Sequence, residues 1–199
     1  MDKFYIPFIP EADINYFYLF ELMEQASYTP SKKAYDTITY KSITKLAETL
    51  SFSKSVLDRI LDSNHKQGAK YTYFFTVDKT QKQIKLHNSF ISGCEKRPFV
   101  VLSAGEVAFL RKHKDIERSN LLCQYLIYIK YYCGKSKTKT TDFTMKQFLT
   151  ATNYSTNSHS QENLLSAFNS LIKEAGLATI TPFCGEGGEN RNIYFYHTT

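Results

Sequence analysis

The residues whose types and spacing could do chemistry concentrate between positions 41 and 85. Lys54, Ser55, Asp58, Arg59 and Asp62 fall on the outward face of a short predicted helix that Ser53 can cap. The hydroxyls of Ser53 and Ser55 and the free amides of that first turn suit a phosphate, while Lys54 and Arg59 suit phosphate or guanine edges. Lys79, Lys82 and Lys85 lie on or beside the tip of a predicted hairpin, and Lys41 and Lys45 lie near the start of the preceding helix. A second set comprises the basic loop carrying Lys135, Lys137 and Lys139, and the outward residues of a helix over 160–175, among them Gln161, Asn163 and Asn169. Amides and hydroxyls of that kind can read base edges. The chemistry these sets imply is non-covalent recognition of a polyanion.

Covalent and metal chemistry has little to work with. The five histidines show no HxH or HExxH spacing, and no GxxxxGK[ST] run is present. The four cysteines (Cys94, Cys123, Cys133 and Cys184) form no CxxC pair and read as reduced, mostly buried thiols. The 15 tyrosines sit mostly in core-like stripes, without the Arg/His surround of a nucleophile. The expectation is therefore a protein that is not an enzyme and takes no cofactor, metal or small-molecule substrate.

The chain has 199 residues, room for one compact domain or two small ones. Its net charge of +6 is resolved along the chain into two blocks of +6, at 37–97 and 111–146, between acidic ends. No apolar run approaches the roughly 20 residues of a membrane helix, and Pro7, Glu11 and Asp13 interrupt the N-terminus where a signal peptide would be. The expected location is cytoplasmic, with no membrane partner.

Apolar spacing predicts a helix over 11–28 and a short extended piece at Thr37–Thr39. A helix on Ile43, Leu46, Ala47 and Leu50 follows, capped by Thr39, then a second on Val56, Leu57, Ile60 and Leu61. Tyr71–His87 reads as a β-hairpin and 88–98 as a linker. The order then repeats. Ser103–Glu106 reads as a capping box, and a helix over 119–133 carries Leu122, Tyr125, Leu126, Ile129 and Tyr132 on one stripe and ends at Gly134. After the basic loop comes a short helix opened by Thr144. A polar stretch, 152–160, holds no core residue except Tyr154. The helix over 160–175 is closed by Gly176, and strands at 177–181 and 192–197 flank a Gly/Glu-rich loop.

That order of elements is the winged-helix form of the helix-turn-helix. Two helices crossing at a tight turn need apolar residues at fixed offsets. Ile43, Leu46, Ala47, Leu50, Phe52, Leu57 and Ile60 supply them, with Ser51 where Gly is commonest. The expected fold is mainly α with small β-hairpins (α+β), as two tandem winged helices at 1–92 and 98–199. The arrangement resembles bacterial plasmid and phage replication initiators and replisome organisers. The packing set above and the Leu171-Ile172-Lys173-Glu174-Ala175-Gly176-Leu177 run from helix to wing carry the resemblance. It implies sequence-specific binding of double-stranded DNA, in replication initiation or its control on a plasmid, phage or other mobile element. In that family one winged helix often doubles as the dimer interface. The same architecture serves transcription repressors, and the second wing departs from a two-handed grip: Glu186 and Glu189 would be repelled by phosphate, with only Arg191 to offset them.

A different class stays open at this point: a protein-interaction adaptor with winged helices as scaffold. The apolar segment Phe4–Ile9 could be an arm docking on a partner or on a second copy to give a homodimer, or it could pack on its own domain.

Overall fold

A computed structural model describes residues 3–26, 37–87, 98–154, 159–185 and 190–197. The segment read as a linker, residues 186–189 of the Gly/Glu-rich loop, Cys94 and the end of the helix expected to reach residue 28 lie outside them. The chain is mixed α and β, with small antiparallel sheets, and divides into two compact units: Met1–Pro7 with Asp13–Ala104, and Phe8–Ala12 with Gly105–Thr199.

In the first unit, strand β1 (Lys3–Pro7) pairs antiparallel with β5 (Phe99–Ser103), Phe4 opposite Leu102 and Ile6 opposite Val100. Phe4, Ile6, Val100 and Leu102 are all buried. Of the apolar segment Phe4–Ile9, which could have been a docking arm or could pack on its own domain, residues Phe4–Pro7 are thus spent on this sheet. The pairing also moves the division of the chain. The stretch 98–104 belongs with the first unit, not the second, and residues 8–12 belong with the second. The side-chain amide of Gln124 donates to the carbonyls of Pro10 (3.2 Å) and Ala12 (3.1 Å) there.

Helix α1 (Tyr16–Gln25) starts later than its apolar spacing predicts. Ala12 N–H bonds back to Ile9, and the Asn15 side chain accepts from the amides of Phe17 and Tyr18, so Asn15 is the cap. Strand β2 (Thr37–Thr39) leads to α2 (Ile43–Thr49), capped by Ser42 rather than Thr39, whose residue lies in the strand. Helix α3 (Lys54–Leu61) follows, capped by Ser53.

A helix the sequence did not announce, α4 (Lys66–Tyr71), precedes the expected hairpin and takes in Tyr71, its expected first residue. Residues 71–74 have strand-forming side chains, but Tyr71 is buried in a helix and its hydroxyl donates to the Asn15 carbonyl at 3.1 Å. Tertiary contact overrides local propensity here. Gly68 permits it: a Cβ there would stand 1.8 Å from the Asp62 carbonyl oxygen. The hairpin is then β3 (Phe75–Asp78) and β4 (Gln83–Leu86), and β4 lies between β3 and β2.

In the second unit, α5 (Ala104–Lys112) precedes α6 (Ser119–Lys135), whose residues 121–129 are all buried while Tyr132 is 37% exposed. Strand β6 (Thr140–Phe143), within the region expected to be loop, pairs with β8 (Asn190–Tyr196). Helix α7 (Met145–Ala151) has a capping box of Thr144 and Gln147. Helix α8 (His159–Glu174) buries Leu165, Phe168 and Ile172 and gives way at Gly176 (φ 67°) to β7 (Ala178–Cys184). Strand β8 again lies centrally, between β6 and β7. Thr152, expected to be outside the core, is buried, with its hydroxyl donating to the carbonyls of Phe148 and Leu149.

A buried charge cluster ties α5, α6 and β8. Lys130 Nζ reaches both carboxylate oxygens of Glu106, at 2.5 and 2.6 Å, and the Tyr196 hydroxyl donates to the same carboxylate. Glu106 is 2% exposed. Burial pushes the Lys130 pKa down, against the opposing pull of Glu106.

Candidate nucleic-acid interface

The first unit builds its site on the crossing of α2 and α3. Leu46, Ala47 and Leu50 on α2 and Leu57, Ile60 and Leu61 on α3 are buried. Between the helices, Ser51 adopts a left-handed conformation (φ 55°), and Phe52 N–H bonds to the Ala47 carbonyl at 2.9 Å. That reversal leaves the outer face of α3 free. Lys54, Ser55, Asp58 and Arg59 on it are all exposed.

The first turn of α3 gathers several donors. Ser53 Oγ accepts from Val56 N–H at 3.3 Å and lies 3.3 Å from Ser55 Oγ. Arg59 Nε donates to the Ser55 carbonyl at 3.1 Å, which lays the guanidinium back along the helix toward its N-terminal turn. Two hydroxyls and a guanidinium thus lie toward the positive end of the helix dipole, with Lys54 exposed in the same turn, an arrangement that suits an anionic oxygen. Lys45 is exposed on α2.

The hairpin divides its cations. Asp78 Oδ1 accepts from Thr80 N–H (2.9 Å) and Gln81 N–H (2.8 Å), forming the turn that lacks a glycine, and Lys82 completes it with φ 53°. Lys82 Nζ donates to the Lys41 carbonyl at 3.2 Å, and Tyr40 N–H to the Lys82 carbonyl at 3.0 Å, so Lys41 and Lys82 stand together at the start of α2. Lys79 is drawn to Asp62, 3.7 Å away at the end of α3. Lys85 projects from the sheet face opposite buried Ile84 and Leu86. Lys79 and Lys85 thus stand apart from the α3 first turn with which the sequence grouped them.

The second unit arranges its cations differently. Lys135 is the last residue of α6, its Nζ 4.5 Å from the centre of the Tyr131 ring. A hydrogen bond to Tyr131 holds its pKa above the ordinary lysine value. Lys137 and Lys139 are exposed in the short turn before β6, Lys139 with φ 58°. On α8, Asn163 is exposed, and the side chain of Gln161 lies outside the described residues. Asn169, expected to face outward, is half-buried and accepts a 2.8 Å bond from the Tyr125 hydroxyl, which also meets the Tyr194 hydroxyl at 2.5 Å. Burial raises the pKa of both tyrosines. Arg191 is paired across the sheet with Asp142 at 3.1 Å. The described basic groups of this unit flank the α6–β6 turn rather than α8.

Sequence spacing did not single out the aromatic group beside that turn. Phe8 stacks on Tyr131 with ring centres 3.6 Å apart, and Tyr132 contacts Phe8, Tyr128 and Tyr131. The two adjacent tyrosines at the end of α6 were its only sequence signal. Among the described residues, no group of three His, Cys, Asp or Glu side chains converges as a metal site would, and no helix is long and apolar enough to cross a membrane. No protein-family model matches the chain, and no curated protein matches it in sequence.

Proposed function

We propose that this chain binds double-stranded DNA through two tandem winged helices, and that it acts in replication initiation or its control on a plasmid, phage or other mobile element. The observation that carries the reading is the first turn of α3. Ser53, Ser55 and Arg59 are linked near the exposed N-terminal end of a helix that follows the Ser51 reversal after α2, and exposed Lys54 is its first residue. A second helix held that way presents its N-terminal residues to the major groove in helix-turn-helix proteins. The order of elements supports the same reading in each unit: helix, short strand, two crossed helices, hairpin. In each three-stranded sheet the last strand lies between the other two. Lys41, Lys45 and Lys82 supply further phosphate contacts around α3. The first unit carries the principal duplex contact, because its cations lie on α3, on α2 and at the start of α2, whereas those of the second unit flank a turn.

The test is a binding titration on labelled duplex fragments of plasmid and phage origins and of a genomic library. At about 50 mM salt the protein binds, and affinity falls steeply by about 200 mM. Lys54→Ala and Arg59→Ala each weaken binding. No binding to any fragment at the low-salt end overturns the reading.

A further inference from the structure

Between α6, β6 and α7 the second unit holds an open cleft of about 620 Å³, walled by Tyr128, Tyr132, Thr141, Phe143, Thr144 and Lys146 among others. None of its lining residues comes from α8. The volume falls within the roughly 300–1,000 Å³ usual for ligand pockets. Tyr132 is the ring at its mouth, 37% exposed although it is large and partly apolar.

That ring is held on three sides. Tyr128 lies 4.7 Å from it, Tyr131 5.2 Å and Phe8 5.9 Å, the last two nearly perpendicular to it. Tyr131 is itself clamped between the Phe8 ring and the Lys135 ammonium. An exposed aromatic side chain normally gives up rotamer freedom when it binds something; this one has already lost most of it in folding. A fixed, solvated ring is a stacking platform.

The rim is cationic. Lys146 lines the cleft, and Lys135, Lys137 and Lys139 follow one another along the turn leading into it. The one carboxylate in the lining, Asp142, is engaged by Arg191. Rings flanked by spaced lysines match an unpaired strand, whose bases offer their faces and whose phosphates repeat along the backbone. In duplex DNA those faces are stacked away and only edges are presented. A protein partner fits less well, because lysines are depleted at the centres of protein interfaces.

We propose that this cleft binds single-stranded DNA, one base stacking on Tyr132 and the flanking phosphates running along Lys146 and Lys135–Lys139. The site is built from the second unit alone and does not rest on the duplex reading. The two therefore fail separately.

The test uses the full chain and a fluorescein-labelled 12-nucleotide oligo(dT) strand at low salt, read by anisotropy. The wild-type chain binds the strand. Tyr132→Ala weakens binding about tenfold, the usual size of a single base–ring stack, and Tyr132→Phe retains it. Lys146→Gln weakens binding and flattens its salt dependence, whereas Lys54→Ala, which lowers duplex affinity, leaves it unchanged. Photocrosslinking of the wild-type chain to a strand carrying 5-iododeoxyuridine maps to Tyr132, a readout that needs no variant to fold. The inference is overturned by absence of strand binding, by Tyr132→Ala binding as the wild type does, by equal loss in Tyr132→Phe, or by crosslinks confined to α3.

Discussion

Asp62→Asn is the most informative single substitution in the first unit. Asp62 holds Lys79 at 3.7 Å, with the two side chains 41% and 70% exposed. An exposed pair of that kind contributes only about 0.2–1 kcal/mol to folding. Asparagine also keeps the oxygen that accepts the Asn64 amide at 3.2 Å, so the turn after α3 survives the change. In the proposed interface, five cations on α3, on α2 and at the start of α2 have no carboxylate partner among the described residues: Lys41, Lys45, Lys54, Arg59 and Lys82. If each neutralises one phosphate, the logarithm of the affinity falls with the logarithm of salt at a slope of about −4.5, or about 500-fold between 50 and 200 mM. Releasing Lys79 makes a sixth contact. The slope steepens to about −5.4 and the affinity at 0.1 M salt rises about eightfold. The assay is an anisotropy titration of one duplex at four salt concentrations, wild type beside variant, with a urea melt to bound the stability change. An unchanged slope together with an unchanged affinity refutes the placing of the hairpin tip at the DNA.

Other outcomes follow from the same geometry. Lys130→Met strands the buried Glu106 carboxylate and costs about 3–5 kcal/mol in urea unfolding, and adding Glu106→Gln recovers part of it; a loss under about 1 kcal/mol contradicts the burial of the pair. Ser51→Gly relieves a left-handed serine and raises stability by about 0.5–1 kcal/mol, so a net loss counts against that conformation. Burial raises the pKa of Tyr71, Tyr125, Tyr128, Tyr194 and Tyr196 above the ordinary value of 10.0. Their stabilising contribution is complete below pH 10 and is lost as pH climbs beyond it, because the unfolded chain ionises first. Lys130, shifted downward, works in the opposite sense below its unfolded value of 10.5. Circular dichroism should therefore fall in a cooperative alkaline transition in which these five tyrosines ionise, and ionisation of all 15 tyrosines with the fold intact contradicts the prediction.

How much was legible beforehand depends on the range of the interactions involved. The α2–turn–α3 unit was readable because its determinants are local. Leu46, Ala47, Leu50, Leu57 and Ile60 recur at helical spacing, and Ser53 caps from one residue before the helix. Exposure of Lys54, Ser55 and Arg59 follows from the same period. The Thr144 cap and the Gly176 stop were legible for the same reason.

What folding decided lies in pairings far apart in the chain. Phe4–Ile9 is as apolar as any docking arm, and only the β1–β5 register, some 95 positions away, makes Phe4–Pro7 part of a paired strand and shifts the division between units. Tyr71 sits in a run that favours a strand, yet its bond to Asn15 and the close approach at Gly68 hold it in a helix. The sequence grouped Lys79 with the other hairpin lysines; Asp62 draws it aside, and the pleat turns Lys85 outward. Phe8 and Tyr131 are 123 positions apart and become one stack. Helical period and caps act within about four residues, so composition and spacing determine the elements and their outward residues. Which of those residues stand together, and which charges remain unneutralised, is set by contacts whose closure no local pattern encodes.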